Sequence, residues 1–196
     1  MTATSHGLGG RLPLLNPATL TDDGRKLFSR IQESMVPWAE RAGFAAMTAD
    51  GRLIGPFNAT LLNPPIAAVF LKLQAAEEKY TSLDQRVRQV VILAVGAVWQ
   101  APYELYAHSA VARYAGLDGS DVAALAAGRP PEHLTDAEEI AHRLARALTI
   151  SHHVDDRLYQ EAQETFGAAG VFEIATLTGI YHTVCGILNV FAIPAP

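Results

Sequence analysis

The stretch Val87–His108 reads VRQVVILAVGAVWQAPYELYAH, and it decides the fold class. From Val87 to Val98 the residues are apolar on nearly every side, the pattern of a helix enclosed by other elements. Pro102 then opens a second helix at the position where a missing N–H costs least. In that helix Glu104 and His108 stand four residues apart, which brings a carboxylate and an imidazole onto one face within hydrogen-bonding reach. Next to an enclosed helix, the pair is expected at the edge of a buried layer rather than on a solvated face.

Outward from this stretch, helical caps dominate and alternating strand patterns are nearly absent, so the class is all-α. Thr21-Asp22-Asp23 offers a cap and N-terminal negative charge to a first helix, which Pro37 is expected to interrupt. Gly55-Pro56-Phe57-Asn58 is a rigid approach to a short apolar turn, and Asn63-Pro64-Pro65 launches a helix to about Tyr80. Gly116 ends the helix carrying the Glu/His pair, and a short helix follows from about Ser120 to Ala127. Thr135 and Glu138 have capping-box spacing. Asp155 caps a further helix that stops at Gly167, and the last helix runs from about Gly170 to Asn189. Gly179 and Gly186 on it point to close approach by another helix, since glycine there costs about 1 kcal/mol relative to alanine.

The chain has 196 residues, enough for one sizeable domain, read here as 11–196 after a flexible N-terminal tail over 1–10. Apolar residues are 49% and charged residues 18%, a surplus of core material that subunit interfaces would use. A net charge of −5 and the lack of any Lys/Arg cluster argue against a nucleic-acid partner. The single cysteine, Cys185, rules out an intramolecular disulfide and a cysteine-based zinc site, and fits a cytoplasmic location. Met1 to Arg11 has no signal-peptide pattern. Val171 to Ile193 is apolar enough to raise a membrane reading, but Glu173, His182 and Asn189 would each be expensive in lipid, so no membrane partner is expected.

Glu104 and His108 are the candidate catalytic residues, because an acid and a base that share a proton suit general acid/base work. The bland alternative is an ion pair of a few tenths of a kcal/mol, or a buried pair that only orients two helices. One of Arg86 and Arg88, with Arg88 the lining candidate, could anchor an anionic substrate through a bidentate contact; the alternative is a surface ion pair with Asp84 or Glu78. His182 forms a polar strip with Thr178 and Asn189 that would help line a pocket if it faced the pair; otherwise it is a satisfied core histidine. Asn58 and Tyr103 are further lining candidates. His152-His153 reads as a C-terminal helix cap, and Cys185 as an inert core thiol.

Gly55-Pro56-Phe57-Asn58, Leu62-Asn63-Pro64-Pro65, Val91-Ile92-Leu93-Ala94-Val95, and Tyr103-Glu104 through His108 to Ala115-Gly116-Leu117 together resemble the carboxymuconolactone decarboxylase family, which includes the AhpD-like proteins. The resemblance runs from about Arg11 to Phe191 and rests on the order and spacing of these motifs. It implies compact helical subunits in trimers or hexamers, with sites near subunit contacts. The peroxidase branch carries a Glu, a Cys-x-x-Cys pair and a His. Placing His108 on that histidine puts Glu104 on the second cysteine, Ala101 on the first and Gln89 on the glutamate, so a thiol cycle is not expected.

The branch without the cysteine pair is cofactor-free, in keeping with the absence here of any nucleotide, flavin or metal motif. The resemblance therefore implies a cofactor-independent decarboxylase, or a related lyase or isomerase, acting on a small oxygenated acid or lactone. His108 would deliver the proton and Glu104 would orient it or exchange the proton with it. The alternative is a non-catalytic small-molecule-binding or scaffold oligomer. Residual peroxidase activity through Cys185 comes third.

Overall fold

A computed structural model describes residues 7–196 of the chain. Eight α-helices follow a short 3-10 turn at Pro17–Thr19: α1 (Asp22–Ala42), α2 (Pro56–Thr60), α3 (Pro64–Tyr80), α4 (Gln85–Trp99), α5 (Pro102–Tyr114), α6 (Gly119–Ala126), α7 (Asp136–Ile150) and α8 (Asp156–Val190). No β-strand forms among the described residues; Met47 and Leu53 make one isolated bridge.

The helices start where side chains can serve their orphan N–H groups. Thr21, Asn63, Asp84, Asp118, Thr135 and Asp155 each accept a backbone N–H at the start of the helix that follows. Thr135 and Glu138 close a reciprocal capping box. Gly167, with φ 67° and ψ 171°, breaks α8 into two arms, so the stop expected there is a kink inside one long element.

Helix α4 is the axis of the structure. Val90, Val91, Ile92, Leu93, Ala94 and Val95 are all essentially inaccessible, because α5, α6, α7 and α8 pack around them. Each large side chain so enclosed contributes about 1.5–3 kcal/mol of hydrophobic stabilisation. One face of α4 meets Ala141, Leu144, Ile174 and Leu177 of α7 and α8, and another meets Ala112, Leu117, Val122 and Leu125. A third cluster joins α1, the 44–61 segment, α3, α5 and the end of α8. Helix α8 is long and apolar enough to cross a membrane by length and composition, and Ile174, Leu177, Ile180, Val184 and Leu188 are its buried face.

Three expectations are corrected. Pro37 does not interrupt α1, which runs unbroken from Asp22 to Ala42. The carbonyl that loses its donor is that of Glu33, on the exposed side where solvent can serve it, while Val36 and Ala39 stay buried. Gly7–Gly10, expected as tail, form a turn, and Arg11 N–H donates to the Phe191 carbonyl at 2.6 Å. The rest of that expected tail lies outside the described residues. A Cβ on Gly179 would meet nothing within 4 Å, and one on Gly186 only the edge of Trp99, so neither marks a close helix crossing within the subunit.

Candidate active site

Two backbone approaches set the site. On α4, a Cβ at Gly96 would lie 3.3 Å from Glu104 Cγ and 3.2 Å from a Leu105 methyl, so the hydrogen there lets the start of α5 press against α4. At Gly55 (φ 63°) a Cβ would fall inside the Tyr103 ring, 2.2 Å from Cζ. Only glycine allows the entry to α2 to lie on that ring. Tyr103 then donates its hydroxyl to the Ala45 carbonyl at 2.6 Å, and the Tyr106 hydroxyl accepts from Ala45 N–H at 2.9 Å. These bonds tie the first turns of α5 to the loop after α1.

The tied helix presents Glu104 and His108 to a cavity of about 330 Å³ walled by α1, α2, α3, α4, α5 and α8. His108 Nδ1 lies 2.8 Å from Gln89 Oε1 on α4. An amide oxygen only accepts, so with this amide orientation Nδ1 carries the proton and the neutral ring turns the Nε2 lone pair outward. Nε2 faces Glu104 Oε1 at 3.3 Å. That contact is close but not aligned as a hydrogen bond, and Glu104 Oε1 has no partner of its own although it is fully buried. Two lone pairs facing each other at this distance call for one proton between them.

Burial decides where that proton sits. Glu104 is 2% exposed, and desolvation of its carboxylate pushes the carboxyl up to about 8. Desolvation of the imidazolium, followed by the positive field of Arg88, pushes His108 down to about 3. The helix N-terminus at Pro102 favours a carboxylate, but dipole effects of about 0.3–1 kcal/mol are smaller than such a burial effect. At neutral pH the pair is therefore an uncharged acid beside an uncharged base. Tyr181 crosses the imidazole edge-on at 5.0 Å between ring centres, and Trp38 tilts over it at 6.5 Å.

Of the residues singled out in the sequence, Glu104, His108, Arg88 and Tyr103 line the cavity. Arg88 forms a buried fork on Glu77, with Nε to Oε1 at 3.2 Å and Nη2 to Oε2 at 2.5 Å; its neighbour Arg86 reaches Glu138 at 2.6 Å. Neither meets Asp84 or Glu78 as an ion-pair partner.

Asn58 and His182 stand apart from the cavity lining. Asn58 accepts from Leu15 N–H and donates to the Pro13 carbonyl, which pins the N-terminal segment. His182 Nε2 lies 3.0 Å from Thr149 Oγ1, and Asn189 donates to the Trp99 carbonyl at 2.7 Å. The strip they form thus ties α8 to α7 and to the end of α4, and does not face the pair. Adjacent helical residues point about 100° apart, and it is Tyr181, not His182, that turns inward. His152 Nδ1 sits 3.2 Å from the Leu148 carbonyl at the end of α7.

Sequence reasoning missed Gln89 as a partner of His108, and missed Glu77, Trp38 and Tyr181 altogether. Gln89 had a signal, since it is one of few polar residues in an enclosed helix. Glu77 had none, because its partner lies across the turn between α3 and α4.

The all-α fold around an enclosed α4 is shared with AhpD-like proteins of known structure. Residues 64–147 match the family model described as "Carboxymuconolactone decarboxylase family", which supports the resemblance read from the motifs. No curated protein matches the chain. Among solved structures, an uncharacterized peroxidase-related protein from Silicibacter sp. is 16% identical, with a TM-score of 0.77 over 100% of this chain and 96% of the other. A protein from Ralstonia eutropha described as an alkylhydroperoxidase AhpD core is 18% identical, with a TM-score of 0.74 over 96% and 93% of the two chains. The debrominase Bmp8 in complex with 2,3,4-tribromopyrrole is 15% identical, with a TM-score of 0.71 over 99% and 94%. At these identities the likeness is one of fold.

Proposed function

We propose that this chain is a cofactor-independent acid/base enzyme, a decarboxylase or a related lyase or isomerase acting on a small oxygenated acid or lactone. The observation that carries the reading is the buried, partnerless Glu104 oxygen opposite His108 Nε2 at the cavity wall. A pair kept only to join two helices would have its buried oxygens satisfied. This one holds a proton against the cavity with nothing else to receive it.

The roles differ from those expected of the spacing alone. Glu104, protonated at neutral pH, is the donor, and His108, fixed by Gln89, is the acceptor that holds the proton in line. In a decarboxylation the electrons of the bond to CO2 pass into the conjugated carbonyl, and the carbon left behind takes the Glu104 proton. A proton from solvent, taken up by the His108 Nε2 lone pair, is then relayed to the Glu104 carboxylate and restores the acid. In an isomerisation the same carboxyl group gives a proton at one carbon and, as carboxylate, removes one at another. The surrounding walls are mostly apolar, which strengthens each of these interactions and lets an uncharged product leave.

A thiol cycle is disfavoured by the surroundings of Cys185. It is fully buried in the core, and burial together with the Glu104 carboxyl raises its thiol above the ordinary range. The described debrominase and peroxidase-related neighbours illustrate that one fold serves several chemistries, so the reading rests on the site and not on the fold. The test is a metabolite screen with the purified protein, mass spectrometry following depletion and CO2-loss products. A substrate turned over by the wild type and not by His108→Gln supports the reading; equal turnover by both removes it.

A further inference from the structure

Among the described residues lining the cavity Arg88 is the only Lys or Arg, and each of its nitrogens makes a protein contact. Nε and Nη2 grip the two oxygens of Glu77, and Nη1 lies 3.2 Å from Gln85 Oε1. The two charged side chains are 7% and 5% exposed. Drawing the guanidinium toward a ligand would leave a buried carboxylate uncompensated, which is far costlier than an exposed pair coming apart. The other charged wall residue is Glu78, a second carboxylate. With Glu77 and Arg88 cancelling and Glu104 protonated, the wall offers a polyanion no counter-charge and one repulsive group.

What the wall offers instead is neutral donors. Gln89 is 3% exposed, its oxygen is spent on His108, and its NH2 has no partner among the described residues. The Glu104 proton is a second donor, and Trp38, Phe44, Phe57 and Phe70 supply flat apolar faces. Such a lining fits a small planar ring with an oxygen acceptor on its rim.

Resting on the acid/base reading above, and selecting its isomerase or lyase form because an uncharged ring has no carboxylate to lose, we infer that Glu77 sets the substrate class. By holding Arg88 it keeps the cavity without a free cation, so the site takes an uncharged, flat, oxygen-bearing ring compound such as a lactone, cyclic enone or phenol, and rejects dicarboxylates.

The probes are phthalide, an uncharged ring-fused lactone, and phthalate, the same ring with two carboxylates. Each is titrated by calorimetry near neutral pH into the wild type and into Glu77→Gln. In a Trp99→Phe background, the fluorescence of Trp38 reports occupancy of this cavity, since the chain has 2 tryptophans and Trp99 lies elsewhere. The wild type should bind phthalide at least about tenfold more tightly than phthalate, and Glu77→Gln, which frees Arg88, should gain at least about tenfold in phthalate affinity. Phthalate binding as tight as phthalide, or no phthalide binding at all, overturns the ligand class, and the wild-type comparison decides this even if Glu77→Gln fails to fold. A folded Glu77→Gln with no gain overturns the role of Glu77. These readouts involve no turnover, so their failure leaves the proton-transfer reading standing, whereas that reading fails separately if His108→Gln turns over substrate as the wild type does.

Discussion

A carboxyl group at Glu104 that keeps its proton to about pH 8 is a donor across the neutral range, and an imidazole held near 3 remains an acceptor there. Replacing His108 by Gln should cost about 10²- to 10⁴-fold in rate, and Glu104→Gln a similar factor, because the amide keeps a donor but has no proton to transfer. Activity should fall above about pH 8 as Glu104 ionises. The same shifts act on stability. Glu104 rises from 4.5 to about 8 on folding, so its contribution is complete below 4.5 and is lost as the pH climbs toward 8. His108 drops from 6.5 to about 3, so its contribution is missing at acid pH and complete above 6.5; His142, lowered to about 4 by burial and Arg146, acts in the same direction. Between 6.5 and 8 the Glu104 effect stands alone among these three. Denaturant titrations should therefore show stability falling by roughly 1–2 kcal/mol across that window in the wild type and staying level in Glu104→Gln. An identical slope in both proteins would count against the protonated acid.

At the scale of elements, the site depends on how near α5 comes to α4. Gly96→Ala would place a methyl group 3.3 Å from Glu104 Cγ and 3.2 Å from Leu105, closer than ordinary contact, so Glu104 must give way by a few tenths of an ångström. The expected outcome is a folded protein with reduced turnover and a changed pH profile, checked by kinetics alongside circular dichroism; a variant indistinguishable from wild type would show that the approach is not critical. The sequence made the helices legible because their starts are local chemistry. Thr135 with Glu138, Asn63 before two prolines and Asp155 each serve backbone groups within three residues. Pro37 misled for the converse reason: whether a helix survives a proline depends on which face its orphan carbonyl meets, and only tertiary packing sets that. Glu104 and His108 were legible because one helix fixes their spacing. Gln89 and Glu77 were not, because their meaning comes from the rotation of α4 against α5 and α3.

For the whole molecule, the apolar surplus of the composition is only partly enclosed by the subunit. Ile66, Val69 and Leu73 lie along one stripe of α3, with Leu62 just before it, and they are 68%, 66%, 47% and 51% exposed respectively. Phe172 on α8 adds another large exposed ring at 71%. A contiguous row of branched side chains in water is the kind of surface that subunits cover. We expect a homo-oligomer in which α3 contributes the contact, seen as a sedimentation coefficient above that of a 21.0 kDa monomer at micromolar concentration. Val69→Glu should shift the distribution toward monomer while leaving the helical signal intact, since Val69 is already 66% exposed in the subunit. A monomeric wild type would overturn the assembly, and an unchanged oligomer in Val69→Glu would move the interface off α3. The consequence for the site is direct, because α3 also carries Glu77. A subunit contact that holds α3 in place holds the fork on Arg88, so the Val69→Glu monomer should bind phthalate more readily than the wild type does.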